Sequence, residues 1–237
     1  MDLSLAQKKQ INYQIKLHLQ NSGIIKLEPI KLGKGIYLSG LNLFPEVLRP
    51  MSSKRLAAYI YRLRKIIKGK TIIDIGSGCG IQGIVAAQFG AKKVILSDYT
   101  KPSFLNTKAN INKLGLENTC DVRQGDLFEN VPEVADIIIF AQPYFLGKPD
   151  PTHPFTYGML DEGDLIHHFL KEAKSHVTDR ILMCHLDIAG ETNDPKIQGE
   201  KHGYIVSKHA EEVLSSGEQQ GRFCVYELRF KTCPTYR

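Results

Sequence analysis

Three glycines alternate with other residues directly after a short apolar segment, and this arrangement restricts the fold more than any other feature of the chain. The segment Thr71–Ile75 carries three isoleucines and is typical of a buried strand. Gly76, Gly78 and Gly80 follow it, and residues 84–89 then begin an apolar helix pattern. A strand, a glycine turn and a helix N-terminus leave several backbone N–H groups directed at one cleft. Such a cleft suits an anionic or strongly dipolar ligand.

A second apolar segment ends in an acidic residue at an informative distance. Val94–Asp98 is predicted to be the next strand, with the Asp98 carboxylate at its end. A carboxylate about 20 residues after such a glycine turn, at the end of the following strand, typically binds the hydroxyl groups of a ribose. Together the glycine turn and Asp98 indicate a cofactor that contains adenosine.

Two classes of cofactor fit these residues. Residues 78–83 have the Gly-x-Gly-x-x-Gly spacing of nicotinamide dinucleotide sites. However, Asp74 precedes the first glycine, giving Asp-Ile-Gly-Ser-Gly-Cys-Gly. Here the chain resembles the class I S-adenosylmethionine-dependent methyltransferases, whose first motif is an acidic residue, any residue and then Gly-x-Gly-x-Gly. A carboxylate at Asp74 favours a cofactor with a free ammonium group and would repel a pyrophosphate. A dinucleotide site, or a tight strand–helix connection without a ligand, are the alternatives.

The resemblance implies a role for each polar residue at a predicted strand end. The glycines would hold the methionine part of S-adenosylmethionine, and Asp98 would hold its ribose. Tyr99 would pack on the adenine, and Asp126 would accept a hydrogen bond from the adenine amino group. The alternative for Asp126 is a loop carboxylate that caps a turn. The predicted cofactor-binding residues are Asp74, Gly76, Ser77, Gly78, Gly80, Asp98, Tyr99, Asp126 and Leu127.

A fourth predicted strand, residues 132–140, leads into the sequence Ala-Gln-Pro-Tyr. This resembles the Asn-Pro-Pro-Tyr motif of methyltransferases that act on amide nitrogens and base amines, in which polar groups accept hydrogen bonds from the target nitrogen. Ala141 stands where asparagine is expected, and Gln142 where the first proline is expected. We therefore predict Gln142 and Tyr144 as the catalytic residues that orient the acceptor. An acceptor other than an amide nitrogen, or an inactive site, are the alternatives that Ala141 leaves open.

The order of the predicted elements indicates an α/β fold. Strand and helix patterns alternate over residues 52–187, which predicts a parallel sheet with helices on both faces. The resemblance implies a doubly wound, mostly parallel seven-stranded sheet (a Rossmann-like methyltransferase fold) that closes with a strand over 222–230. Ligands of such sheets bind at the carboxyl ends of the strands, where the predicted site residues fall.

The ends of the chain and one internal segment are predicted separately. A helix over residues 5–20 and a hairpin over 24–38 would form a small appendage, residues 1–43, ahead of a cofactor-binding domain, residues 44–237. The polar segment 188–201 is predicted to be a loop.

Cysteine usage and charge limit the compartment and the partners. The five cysteines contain no Cys-x-x-Cys pair, so we expect no metal site and no disulfide framework, as in a cytoplasmic protein. No segment approaches the length of a membrane span. The net charge is +6, and eight basic residues with no acidic one lie between Arg49 and Lys70. That segment favours an anionic partner such as RNA, and the alternative is the solvated face of a helix.

The function that these features indicate is methyl transfer from S-adenosylmethionine to a nitrogen on a protein or an RNA. A nicotinamide-dependent oxidoreductase is one alternative, because residues 78–83 fit a dinucleotide site. A cofactor-binding scaffold without catalysis is another, because Ala141 lacks a hydrogen-bonding side chain. The sequence makes no prediction about the identity of the acceptor or the oligomeric state.

Overall fold

The computed structural model describes residues 3–20, 22–216 and 219–230. The helices are α1 (Leu5–Leu19), α2 (Ser53–Arg62), α3 (Arg64–Ile67), α4 (Ile81–Gln88), α5 (Lys101–Leu114), α6 (Leu165–Glu172) and α7 (Pro195–Lys201). The strands are β1 (Ile25–Lys26), β2 (Ile30–Gly33), β3 (Ile36–Leu38), β4 (Asn42–Leu43), β5 (Thr71–Ile75), β6 (Lys93–Asp98), β7 (Cys120–Gln124), β8 (Ala135–Phe140), β9 (Phe145–Leu146), β10 (Leu160–Asp161), β11 (Val177–Leu186), β12 (Tyr204–Ser216) and β13 (Gln219–Phe230).

A seven-stranded sheet forms the centre of the molecule, with its strands in the order β12-β13-β11-β8-β5-β6-β7. The strands β5, β6, β7, β8 and β11 are parallel to one another. β13 pairs antiparallel with β11, and β12 pairs antiparallel with β13. The predicted mostly parallel, seven-stranded sheet is therefore confirmed. Because the chain leaves β5 in one direction and β8 in the other, a crevice opens at the carboxyl ends of these two neighbouring strands.

Successive residues of the central strands face two separate hydrophobic clusters, which is why these strands are apolar throughout. Ile72 of β5 belongs to a cluster that includes Leu56 of α2 and Ile84 of α4. The next residue, Ile73, belongs to a second cluster that includes Phe169 of α6. Helices therefore cover both faces of the sheet, as the alternation of elements predicts.

The described part of the N-terminal segment, residues 3–20 and 22–43, packs against this sheet. Within the predicted hairpin, β2 pairs antiparallel with β3, while β1 pairs with β4. Ile11, Leu27 and Leu43 belong to the same buried cluster as Ile72 of β5 and Leu182 of β11. The division of the chain at residue 43 stays a prediction.

The prediction of a polar loop over residues 188–201 is wrong at its second half, where α7 forms. Asp194 accepts a hydrogen bond from the Lys196 N–H at 2.7 Å, which caps the helix, and Pro195 occupies its first turn. Gly199 lies against the sheet: a Cβ there would meet Val206 at 2.8 Å and Leu228 at 2.9 Å. The helix thus depends on its cap and on tertiary packing, and its own composition is polar.

The structure also shows where the cysteines lie and whether the described residues contain a membrane-spanning helix or a metal-binding cluster. The thiols of Cys79, Cys120, Cys184 and Cys224 are free and buried, and Cys233 lies outside the described residues. Over the part of the chain that the structure describes, no helix combines the length and the apolar character needed to cross a membrane. The same residues contain no group of three or more His, Cys, Asp or Glu side chains arranged to hold a metal.

Candidate functional site

A cavity of about 390 Å³ lies at the carboxyl ends of β5, β6, β7, β8 and β11. Nine of the predicted site residues line this one cavity, although they are spread over about 70 positions of the sequence. Asp74 and Gly80 are not among the lining residues. The nine are Gly76, Ser77, Gly78, Asp98, Tyr99, Asp126, Leu127, Gln142 and Tyr144.

The glycine turn has a backbone that other residues rarely adopt. Gly76, Gly78 and Gly80 have φ angles of +64°, +60° and +84°. The turn is fixed from outside by α5: the Thr107 hydroxyl donates to the Gly78 carbonyl and the Asn110 amide to the Cys79 carbonyl, each at 2.8 Å. No heavy atom lies within 4 Å of the Cβ position of Gly78, which lines the cavity. The turn therefore presents bare backbone beside open space.

Asp98 links the second strand to this turn. Its Oδ2 accepts a hydrogen bond from the Gly78 N–H at 2.9 Å, and its Oδ1 accepts from the N–H and the hydroxyl of Thr100. Burial raises the pKa of Asp98, and the N–H donors from Gly78 and Thr100 act in the opposite direction. A buried carboxylate held in this way has lone pairs left for further donors, such as ribose hydroxyl groups.

Asp74 lies beneath the turn and outside the cavity. It is 1% exposed, and its Oδ2 accepts a hydrogen bond from the N–H of Gly83 at 2.8 Å. Burial raises the pKa of Asp74 to about 7, with the Gly83 donor lowering it and the nearby charge of Asp98 raising it. Asp74 therefore fixes the start of α4 against the strand, and a direct contact with a cofactor stays a prediction.

The residues after β6 and β7 line the part of the cavity that lies on the other side of β5 from β8. The ring of Tyr99 lies 5.4 Å from that of Tyr157 between centroids, so two aromatic side chains flank this end. Asp126 is exposed, and its N–H donates to Glu129 at 3.2 Å. Leu127 is buried with a φ of +43°, which is rare for a side chain of this size and marks a tightly turned loop.

Gln142, which follows β8, has a side-chain oxygen without a hydrogen-bond partner among the described residues. The side chain is 2% exposed, and its Nε2 donates to the carbonyl of Asn193 at 3.3 Å. Because a carbonyl can only accept, this bond fixes which end of the amide faces Asn193. Gln142 Oε1 has no hydrogen-bond partner among the described residues. An unpaired buried acceptor is costly, so a donor that a ligand brought to this oxygen would stabilise it.

Tyr144 is buried with its hydroxyl group engaged. The hydroxyl donates to Ser52 Oγ at 3.2 Å and lies 2.9 Å from Cys184 Sγ. Burial raises the pKa of Tyr144 well above its usual value, so the hydroxyl stays protonated. The ring lies edge-on to His185, with centroids 5.7 Å apart. Tyr144 thus provides a fixed, neutral aromatic wall.

Asn193 does not line the cavity but supports two residues that do, and no sequence pattern predicts this role. It is 1% exposed, its carbonyl holds Gln142, and its Nδ2 donates to the carbonyl of Tyr144 at 3.4 Å. It lies about 50 positions further along the chain, in the segment predicted to be a loop. No motif marks it, because its contribution depends on where that segment folds back.

Basic side chains begin at the cavity and continue along α2 and α3. Arg49 and Arg55 line the cavity, and Arg55 pairs with Glu212 at 2.9 Å. Lys70, at the far end, pairs with Asp136 at 2.9 Å. The exposed basic residues between them are Arg62, Arg64, Lys65 and Lys68.

Known proteins resemble this chain most clearly around the glycine turn. Residues 58–142 match the family described as ribosomal protein L11 methyltransferase (PrmA). Over 81 residues the chain is 37% identical to the ribosomal protein L11 methyltransferase of Alkaliphilus oremlandii, covering 34% of this chain and 26% of that protein. Over 129 residues it is 34% identical to a candidate protein N5-glutamine methyltransferase of Methanocaldococcus jannaschii, covering 54% of this chain and 57% of that protein. The chain thus spans about a quarter to about half of the length of these relatives.

The fold is similar to that of solved methyltransferases. The 16S rRNA N2 G1207 methyltransferase of T. thermophilus, solved with AdoMet and guanosine, superposes with a TM-score of 0.59 at 17% identity. The match covers 89% of this chain and 52% of that chain. At this identity the likeness establishes the fold alone.

Proposed function

We propose that this chain is a class I S-adenosylmethionine-dependent methyltransferase, which binds S-adenosylmethionine in the cavity and methylates a nitrogen atom of a protein or an RNA. The observation that carries the proposal is the shared cavity. It brings the glycine turn, Asp98 and Asp126 together with Gln142, whose side-chain oxygen is unpartnered among the described residues, from four different strand ends. The predicted cofactor-binding residues and the predicted acceptor-binding residue therefore line one continuous cavity.

The residues present fit the cofactor. Gly78 leaves open space for the methionine part, and Asp98 offers carboxylate oxygens to the ribose hydroxyl groups. Ser97 also lines the cavity, and its buried hydroxyl has no partner among the described residues. Tyr99 and Asp126 line the same cavity, which supports their proposed roles of stacking on the adenine and accepting a hydrogen bond from it. A mostly apolar cavity of this size with a few polar groups is typical of small-molecule sites.

The chain's contribution to the reaction is positioning. When bound, S-adenosylmethionine supplies a methyl group on a positively charged sulfur, and S-adenosylhomocysteine is left after one displacement. Gln142 Oε1 accepts a hydrogen bond from the acceptor nitrogen, which turns the nitrogen lone pair toward the methyl group. The acceptor nitrogen would supply the lone pair for the new N–C bond, the cofactor would supply the methyl carbon and keep the C–S electron pair on its sulfur, and the N–H proton would pass to water. Tyr144 packs beside the reacting nitrogen and excludes water.

Two features support a macromolecular acceptor. Arg49 and Arg55 continue the cavity into the exposed basic residues of α2 and α3, which suits an RNA backbone or an acidic protein surface. The related proteins named above include enzymes named for a ribosomal protein and for a protein glutamine. The labelling experiment described below distinguishes a protein acceptor from an RNA acceptor.

Calorimetric titration separates the cofactor classes. S-Adenosylhomocysteine should bind with a dissociation constant in the micromolar range, and NAD should give no measurable heat. The reverse result would replace the proposal with an oxidoreductase, because Gly78–Gly83 also has the dinucleotide spacing.

Labelled S-adenosylmethionine tests catalysis and acceptor class. The protein is incubated with the labelled cofactor and a cell extract, and the products are divided between protease and ribonuclease treatment. Label that protease alone releases indicates a protein acceptor, and label that ribonuclease alone releases indicates RNA. Cofactor binding without label in either fraction would favour a scaffold without catalysis.

A further inference from the structure

We propose that the side of the molecule formed by α2, α3 and two neighbouring turns is a docking surface for RNA. The proposal rests on the proposed function and narrows its acceptor to an RNA whose phosphate backbone is held outside the cavity. The surface carries five exposed basic side chains from three separate parts of the chain. These residues, which we call the basic face, are Lys34, Arg64, Lys65, Lys68 and Lys92.

The parts of the chain that carry the basic face meet around the ring of Tyr61. The Arg64 guanidinium carbon lies 4.5 Å from the centroid of this ring. A Cβ on Gly33, which directly precedes Lys34 in the turn after β2, would lie 2.8 Å from Tyr61 Cε1. The ring of Phe89, which follows α4, lies 4.7 Å from that of Tyr61 between centroids. The turn after β2, the start of α3 and the end of α4 therefore lie side by side.

A second set of contacts joins Lys68 to the turn that carries Lys92. Lys68 Cγ lies 3.3 Å from the Cβ position of Gly90. The Gly69 N–H donates to the Gly90 carbonyl at 2.7 Å, and the Lys92 N–H donates to the Lys70 carbonyl at 2.8 Å. The turn between α4 and β6 is thus bound along the segment that follows α3, so the charges of both belong to one surface.

The basic face has no negative charge within the segments that build it. Its residues come from the ranges 29–45, 47–73 and 75–97, which contain no aspartate and no glutamate. Among the ion pairs that the described residues form, none includes a residue of the basic face. Cations that gather on one surface without carboxylate partners create a positive potential, which attracts a polyanion.

The composition of the basic face favours phosphates over a protein partner. Four of its five residues are lysine, a residue type that is depleted at protein–protein interfaces. Ile66, between Lys65 and Lys68, is 39% exposed, and one apolar side chain does not supply the apolar centre that such interfaces have. An RNA backbone requires dispersed cations and no apolar centre, because its affinity comes from phosphate contacts.

α2 connects the basic face to the cavity. Ser52 and Ser53, at the start of α2, line the cavity, and Ser52 Oγ accepts a hydrogen bond from the Tyr144 hydroxyl at 3.2 Å. The ten residues of α2 rise about 15 Å from there toward Arg64. An RNA that places one base beside Tyr144 can therefore reach the basic face with the phosphates that flank this base.

The test removes charge from the basic face and leaves Arg64 in its contact with Tyr61. The face variant combines Lys34→Gln, Lys65→Gln, Lys68→Gln and Lys92→Gln. A smaller variant changes only the two turns that flank α2 and α3, with Lys34→Gln and Lys92→Gln. The control variant lowers the net charge by the same four units at exposed lysines elsewhere on the molecule. Its substitutions are Lys148→Gln, Lys171→Gln, Lys196→Gln and Lys201→Gln.

Fluorescence anisotropy measures binding to a labelled RNA hairpin with a stem longer than α2, and to labelled polyglutamate, at several salt concentrations. Wild type should bind the RNA with a dissociation constant in the micromolar range, and the control variant should stay within about threefold of it. The face variant should lose at least about tenfold in affinity. Its slope of log affinity against log salt should fall by roughly three, because each lost phosphate contact lowers the slope by about 0.7–0.9. The smaller variant should lie between wild type and the face variant.

Equal losses of RNA affinity in the face variant and the control variant would overturn the proposal. Polyglutamate binding that is as tight as RNA binding, and that is lost with the same lysines, would also overturn it and assign the basic face to an acidic protein. All variants should keep their S-adenosylhomocysteine affinity within about twofold, which shows that the fold is intact. If the face variant fails to fold, the smaller variant decides by the same comparison with the control. Failure of wild type to bind S-adenosylhomocysteine would reject the proposed function, and the RNA titrations would still decide whether the basic face binds RNA.

Discussion

At the scale of single residues, Asp98 connects the cofactor site to its own scaffold. The carboxylate holds the Gly78 N–H and is predicted to receive ribose hydroxyl groups. We expect Asp98→Asn to weaken S-adenosylhomocysteine binding about 10- to 100-fold, because hydrogen bonds to a charged group contribute about 1.5–3 kcal/mol. Calorimetry measures the change. Glu117→Gln, at an exposed carboxylate outside the cavity, should bind as wild type does. Equal affinity in Asp98→Asn and wild type would remove Asp98 from the site.

Asp74 should make stability fall as the pH rises. Its pKa is about 7 in the folded protein and 3.8 in an unperturbed aspartate, so the folded state binds more protons than the unfolded state between these values. The contribution of Asp74 to the free energy of unfolding therefore decreases from about pH 4 to about pH 7 and is level above that.

Asp74→Asn removes this titration while keeping an oxygen for the Gly83 N–H. Relative to wild type, the variant should gain about 4 kcal/mol between about pH 4 and about pH 7, since each pKa unit corresponds to about 1.4 kcal/mol. Urea unfolding of both proteins across this range measures the difference, and other titrating groups cancel in it. A constant difference across the range would show that Asp74 is ionised throughout.

Site residues that belong to a motif could be predicted, because motif spacing reports strand ends that share an edge. Asp98, Asp126 and Gln142 were found in this way, and all three line the cavity. Asn193 could not be predicted, since it supports the site through contacts between distant parts of the chain. An asparagine in a polar segment carries no local signal of burial.

At the scale of elements, one glycine sets how closely α4 packs on the sheet. A Cβ on Gly83 would lie 2.4 Å from Leu96 Cδ2 and 3.1 Å from Val94 Cγ1, both on the buried face of β6. The last glycine of the Gly-x-Gly-x-x-Gly spacing thus has a packing function that either class of cofactor site would share. For this reason the Gly-x-Gly-x-x-Gly spacing by itself does not distinguish a dinucleotide site from an S-adenosylmethionine site.

Gly83→Ala should destabilise the protein by about 1–3 kcal/mol, because overpacking at a buried contact outweighs the helix preference of alanine. Urea unfolding monitored by circular dichroism measures the change. Gly23→Ala is the matched control, since no heavy atom lies within 4 Å of its Cβ position, and it should change stability by less than about 1 kcal/mol. If both variants unfold at the same urea concentration as wild type, α4 has room that the structure does not show.

Elements with strong apolar patterns could be predicted, whereas those formed by tertiary contacts could not. The central strands β5, β6 and β8 each contain consecutive large apolar residues, and the sequence predicts each of these strands. α7 is polar, and only the folded chain brings the sheet up to its Gly199 face. The local sequence of a helix such as α7 does not reveal packing contacts with residues that are distant in the chain.

At the scale of the whole molecule, the N-terminal segment shares the core of the sheet. Leu32, Leu38 and Leu41 are buried, and they belong to the same cluster as Ile72 and Leu182 of the central strands. The sequence suggested an appendage because the segment precedes the first motif and has short strands of its own. Continuity of the core instead suggests one cooperative unit, in which α1 and the acceptor site cannot form without the sheet.

We therefore expect residues 27–43 and β5 to unfold together. Hydrogen exchange at increasing urea, followed by mass spectrometry, should give the same midpoint for peptides from both segments, because separating them would expose the shared core to water. A peptide from the exposed end of α5 provides a reference for local fraying, and should exchange earlier. If residues 27–43 lose protection at lower urea while β5 stays protected, the segment is an independent appendage.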